Sequence, residues 1–199
     1  MVERHAFLEE PSNTREAIMQ ATYHALCEYG YAGLTISRIA EFFEKSKSLL
    51  YHHYESKDEL LLDFLGFMLE EFESVPEDRE AAANERLAEF FDQALSDTHS
   101  KEALNFTRAM VELRAQAAHD DRFREHFTDS DQVFHDRLAD IIRAGIESGT
   151  FRPVDPDRVA AFLLATINGA MTQQVTARSE DTDQVREELS RYVSSVLEP

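Results

Sequence analysis

Apolar residues recur at helical spacing along nearly the whole chain. Ile18, Ala21, Ala25 and Tyr29, with Thr22, share one face of a helix that Asn13 and Glu16 open at capping-box spacing. Gly30 is placed to end it in the left-handed conformation. After the short link Gly30–Thr35, the residues Ile36, Ile39, Ala40 and Phe43 fall at i, i+3, i+4 and i+7, with Thr35 as the cap. A second short helix is expected from about Ser46 to Tyr54, with Leu49, Leu50 and Tyr54 inward and Lys47, Ser48, Tyr51 and His52 outward. Ser56 and Glu59 again have capping-box spacing, and Leu60, Phe64, Phe67 or Met68, and Glu71 or Phe72 carry a helix to about Ser74. Val75-Pro76-Glu77-Asp78 breaks it. Residues 1–11 read as a loose arm.

Five more helices are expected beyond that break. The first covers about 79–97, with Leu87, Phe90, Phe91, Ala94 and Leu95 inward. The second covers about 101–118 on the stripe Phe106, Met110, Leu113 and Ala117, with Leu104 and Val111 off it. The third runs from Asp120-Asp121 to about Ser148, unless Asp129-Ser130-Asp131 splits it, and Gly149 terminates it. The last two cover about 157–177 and 182–197. Clean period-two alternation is absent, which argues against sheets. The expected fold class is therefore all-α with about nine helices. Residues 1–55 would form a three-helix head, and residues 56–199 a helical body.

Two short helices joined by a tight turn make a helix-turn-helix, whose second helix can enter a major groove. The stretch TISRIAEFFEKSKSLLYHHYESKDEL, Thr35 to Leu60, resembles the head of the TetR family of transcriptional regulators. The resemblance is carried by Thr35, Ile39-Ala40, Ser46-Lys47, Leu50-Tyr51, His53-Tyr54, Ser56-Lys57 and Leu60. The family usually has Gly in the turn where this chain has Glu44; a left-handed residue there would cost roughly 1–2 kcal/mol. Gly145 to Pro156, followed by an Ala-rich helix with Asn168-Gly169, resembles the ligand and dimerisation domain of several branches of the family.

The resemblance implies a homodimer on double-stranded operator DNA, each subunit setting the helix from Ser46 in a major groove. Lys45, Lys47 and Ser48 are the candidates for base edges; Thr35, Tyr51, His52 and Lys57 are those for phosphates. Two heads would need half-sites about 34–36 Å apart, or a multiple. The dimer face is expected on the last two long helices, from Phe162, Leu163, Ile167, Met171, Leu189, Val193 and Val196, although a monomer core would look similar. The resemblance further implies repression relieved by a small ligand. The alternative is a constitutive or partner-dependent regulator without one.

Charge sharpens this picture. The chain carries 20 Lys and Arg against 39 Asp and Glu, a formal net of −19. Yet three of its four lysines, Lys45, Lys47 and Lys57, fall in a thirteen-residue window with Glu55 as the lone acid. A basic island on an acidic chain is the footprint expected where phosphates dock. Such an acidic DNA binder also suits high salt, where the screening length falls to about 3 Å.

The remaining composition excludes more than it adds. Cys27 is the lone cysteine, so no disulfide can form within one chain. MVERHAFLEEP lacks the apolar segment of a signal peptide, and Val159 to Ile167 is far short of a membrane span, so a soluble cytoplasmic protein is expected. No catalytic constellation, phosphate loop or cofactor motif stands out, and an enzyme is not expected. His119 and His126 are seven apart, with no second cluster to make a metal site. The 14 Phe are distinctive. Phe64, Phe67, Phe72, Phe90, Phe91, Phe106, Phe127 and Phe134 are expected to converge in the body, either as plain core or as the lining of a cavity for a small apolar or amphipathic ligand, with Phe64, Phe67, Met68, Phe90, Phe106, Met110, Phe127 and Phe134 as the pocket candidates. Asn105, Arg108 and Glu112 would orient that ligand, or form an exposed charged face.

Overall fold

The computed structural model describes residues 6–76, 78, 80–95, 101–177 and 182–198. Every regular element among them is helical: α1 (Ala6–Glu9), α2 (Thr14–Gly33), α3 (Ile36–Ile39), α4 (Lys47–His53), α5 (Lys57–Ser74), α6 (Ala83–Ala94), α7 (Lys101–Gln116), α8 (Asp121–Ser148), α9 (Pro156–Thr176) and α10 (Thr182–Tyr192). The chain ends in a π-helical turn, Val193–Leu197.

Local chemistry accounts for the helix starts. Asn13, Thr35, Ser56 and Asp155 each accept, through the side chain, from a backbone N–H three residues on. In two of these caps the glutamate reaches one residue further back than the capping box requires. Glu16 accepts from the Ser12 N–H at 2.7 Å and Glu59 from the Glu55 N–H at 2.8 Å. Gly30 adopts φ 63°, the left-handed region expected of it, and Gly149, expected only to terminate its helix, adopts φ 78°. Helical bonding resumes beyond Gly30 as far as Gly33, so the first long helix is kinked there rather than ended.

Several expectations are corrected. The loose arm contains a one-turn helix, α1. Leu8 packs against the core behind it, and its carbonyl accepts from Gln20 Nε2 at 3.0 Å. Its residues 1–5, with Arg4 and His5, lie outside the described residues, as do Glu77, Arg79 and the expected end of the 79–97 helix. The helix after Thr35 closes at Ile39, and three-residue turns carry the chain on to Phe43. The 121–148 helix is unbroken at Asp129-Ser130-Asp131, where Ser130 is buried.

The chain forms two compact units: residues 1–76 with 100–127, and residues 77–99 with 128–199. This packing division differs from one at residue 56. The reason is that α5 and α7 bury their apolar stripes with α2: Leu60, Leu61, Phe64, Leu65, Phe67, Ala109 and Leu113 join Ile18, Met19 and Leu26 in one core. Cys27 is half-buried on α2, and burial pushes its thiol up to about 12, which keeps it protonated and unreactive. The second unit packs α6, the later part of α8, α9, α10 and the π turn around Leu87, Phe91, Ile142, Leu163 and Leu197.

Candidate DNA interface

A seven-residue helix such as α4 is too short to stand alone in water, so its neighbours must hold it. On its inner side Leu50 is fully buried and Leu49 half-buried. Tyr54, its C-cap, is buried as well, and its hydroxyl donates to Asp63 of α5 at 2.5 Å. Asp63 also accepts from Arg15 of α2 at 2.9 Å, and Arg15 donates to Glu70 at 2.7 Å and lies over the Phe67 ring. Burial and then the bond to Asp63 raise the Tyr54 hydroxyl well above the usual tyrosine range. The bond to Glu70 raises the Arg15 guanidinium against its desolvation. One network thus joins the end of α4 to α5 and α2.

The outer side presents Lys47, Ser48, Tyr51, His52 and His53, all exposed. Tyr51 is 52% exposed, and its hydroxyl shares a hydrogen bond with Ser37 of α3 at 3.1 Å. The Lys47 ammonium lies 5.9 Å from the Tyr51 ring centre. The Ser48 hydroxyl donates to that of Ser46 at 3.1 Å, and the His52 and His53 rings meet edge to face. The Lys45 ammonium is tied to the Thr14 hydroxyl at 2.8 Å, with further N–H donors on the same nitrogen. Thr35 accepts from the Arg38 N–H at 3.2 Å, and its own O–H remains a donor. These side chains can supply the hydroxyl, phenol, ammonium and imidazole donors that phosphates and base edges accept.

Lys57 departs from this set. It is half-buried, donates to the Tyr31 carbonyl at 3.1 Å and stands 4.0 Å over the Tyr31 ring. Its ammonium holds the link that feeds α3. Sequence reasoning missed Ser37, which orients Tyr51, and the Arg15–Asp63–Tyr54 network. Ser37 carried a usable signal, one residue after the start of a capped helix; the network, bridging 48 residues between Arg15 and Asp63, carried none.

The apolar candidates do not form a single group. Phe64, Phe67, Met68, Phe106, Met110 and Phe127 belong to the core of the first unit, with Phe106 against Tyr23 at 4.8 Å between ring centres. Phe90 packs on the core of the second, and Phe134 is half-buried on α8. Arg108 donates to Asn105 at 3.0 Å, whereas the Glu112 carboxylate accepts from the Tyr31 N–H at 2.7 Å. Glu112 thus has a partner within its own chain, the link before α3. Among the dimer candidates, Leu163, Ile167, Leu189 and Val193 are buried within their own chain and Met171 half-buried. Phe162 and Val196 are 50% and 43% exposed, and with Tyr192, Val185 and Leu189 they line an open groove of about 660 Å³. Among the described residues no cluster of three or more His, Cys, Asp or Glu could hold a metal ion, and no helix is long and apolar enough to cross a membrane.

Residues 18–64 match the bacterial regulatory proteins of the tetR family, and residues 83–198 match the C-terminal domain of BetI-type transcriptional repressors. The chain belongs to the TetR family. A TetR transcription regulator from Haloarcula marismortui has the same fold with a TM-score of 0.82 and 36% identity, over 92% of this chain and 98% of that one. The transcriptional repressor AcnR of Corynebacterium efficiens is 26% identical over 96% of both chains. A regulator from Saccharomonospora viridis, solved in complex with choline, shares the fold with a TM-score of 0.75 at 22% identity, over 93% and 97% of the two chains. The protein is accordingly a transcriptional regulator of the TetR family and not an enzyme, and its tetR match spans α3, the turn and α4.

Proposed function

We propose that this TetR-family protein is a cytoplasmic repressor that binds its operator through α4 as a homodimer and leaves it when a small molecule binds. The observation that carries the DNA half is the exposed set Lys47, Ser48, Tyr51, His52 and His53 on a helix whose other side is locked to α2 and α5. Lys45, Ser46 and Thr35 flank that set, and Lys57 supports it from within. The homodimer face is the groove of Phe162, Tyr192 and Val196, backed by the buried Ile167, Leu189 and Val193.

For release, a ligand must bind one conformation more tightly than the other. The half-buried α5 and α7 side chains Met68, Phe106 and Met110 offer it an apolar, polarizable surface. Choline in the Saccharomonospora viridis regulator supports a small molecule as the signal in this fold. A fixed repressor is the second reading, favoured by Phe64 and Phe67 being packed inside the first core.

Duplex selection from a randomised pool, followed by anisotropy on the selected duplex, tests the DNA half. Selective binding by wild type that survives Lys47→Ala/Tyr51→Ala would remove α4 as the reader. A thermal-shift screen with apolar and cationic metabolites separates the two readings, since a ligand of the native state raises its stability.

A further inference from the structure

Gly30 breaks α2 with φ 63° and ψ 173°, which turns the next N–H out of the helical ladder. That N–H, on Tyr31, is taken by the Glu112 carboxylate of α7 at 2.7 Å. The fit is close. A Cβ added to Gly30 would stand 3.1 Å from the same carboxylate oxygen. The opposite side of this link is held by α5, where Lys57 donates to the Tyr31 carbonyl at 3.1 Å and Asp58 accepts from the Tyr31 hydroxyl at 3.3 Å. Four residues after Tyr31 stands Thr35, the cap of α3, and Arg38 of α3 donates back to the Gly33 carbonyl. The entry to the helix-turn-helix therefore hangs between two helices, and on the α7 side one carboxylate holds it.

We propose that Glu112 is a positioning residue for DNA reading: its carboxylate fixes the Gly30–Tyr31 peptide and, through that peptide, the placement of α3 and α4. The contact is half-buried, and its acceptor is charged. Losing it leaves the Tyr31 N–H without its partner and lets the link settle elsewhere. The effect on DNA runs against electrostatics. Removing an acid from a chain of net charge −19 should by itself strengthen DNA binding. A positioning role weakens it.

The inference rests on operator binding for its DNA readout alone, and a second readout is independent of DNA. Glu112→Ala, Glu112→Asp and Glu112→Gln are compared with wild type on the duplex that wild type selects. Glu112→Ala and Glu112→Asp, whose acceptor is one methylene short, should each lose roughly tenfold in affinity. Glu112→Gln retains an acceptor of the same reach and should stay within about threefold. Amide exchange followed by peptide mass should show faster exchange over residues 30–54 in Glu112→Ala and Glu112→Asp, with α9 unchanged. Should Glu112→Ala not fold, the Asp and Gln pair gives the same decision. Wild-type or tighter affinity in folded Glu112→Ala, or a Gln variant weaker than the Asp variant, would each overturn the proposal, as would unchanged exchange over 30–54.

Discussion

Two helices leave large side chains in the open, and the chemistry they expose is opposite. On α4 the outward residues are Lys47, Ser48, Tyr51, His52 and His53; on α9 and the π turn the large apolar residues left outward are Phe162 and Val196. Both helices bury their other side, α4 through Leu50 and α9 through Leu163 and Ile167. Amphipathicity therefore cannot tell them apart. What separates them is what water leaves to be gained: an ammonium and hydroxyls seek an anion, whereas a half-exposed phenylalanine seeks a dry partner. The acidic surface elsewhere heightens the contrast, because the lysine-bearing helix is where a polyanion meets least repulsion.

The largest expected effect tests the polar surface. Lys47→Ala/Tyr51→Ala removes two contacts and should cost roughly 100-fold in operator affinity, read by anisotropy, with the thermal midpoint unchanged. Next comes the apolar surface. Phe162→Asp places a charge in the proposed dimer contact and should weaken self-association by at least about 2 kcal/mol, read by sedimentation. Dimers of wild-type strength in that variant would move the interface off this groove.

A smaller change probes how α4 is held. Tyr54→Phe deletes the hydroxyl bound to Asp63 and should cost about 1 kcal/mol, a fall of about 2–4 °C in thermal midpoint. The same group gives a pH signature. The folded state raises the Tyr54 hydroxyl above its ordinary 10.0, so folding favours its neutral form. That stability is fully present below pH 10.0 and is lost as pH climbs from there toward the folded value. Tyr54→Phe should lack this part of the alkaline decline, as seen in denaturant titrations at several pH values. The smallest effect expected is from salt. Molar KCl screens the repulsion among 39 acids and should raise stability by about 0.5 kcal/mol. Full stability in dilute buffer with no gain in KCl would set aside the high-salt reading of the composition.

Much of the fold was legible in the sequence because its signals act over three or four residues. The caps at Asn13, Thr35 and Ser56, the left-handed Gly30, the stop at Gly149, and the outward Lys47, Ser48, Tyr51 and His52 of α4 all follow from local spacing. The apolar stripes of α5, α7 and α9 were equally visible, but a stripe says only that something covers it. The phenylalanines were expected to converge, yet Phe64, Phe67, Phe106 and Phe127 pack in the first core and Phe90 and Phe91 in the second, since nothing in a stripe specifies its partner helix. Ile167 and Phe162 sit on one helix and read alike in sequence, and only packing buries the first and leaves the second half-exposed.

By itself, then, the sequence determined an all-helical chain, its helix-turn-helix and the basic island upon it, because helix caps, turns and charge are properties of near neighbours. The tertiary structure alone decided that Lys57 turns inward, that Ser37 orients Tyr51, and that Glu112 reaches a backbone N–H 81 residues away. Those roles depend on which surfaces meet, and that is settled by burying several stripes at once.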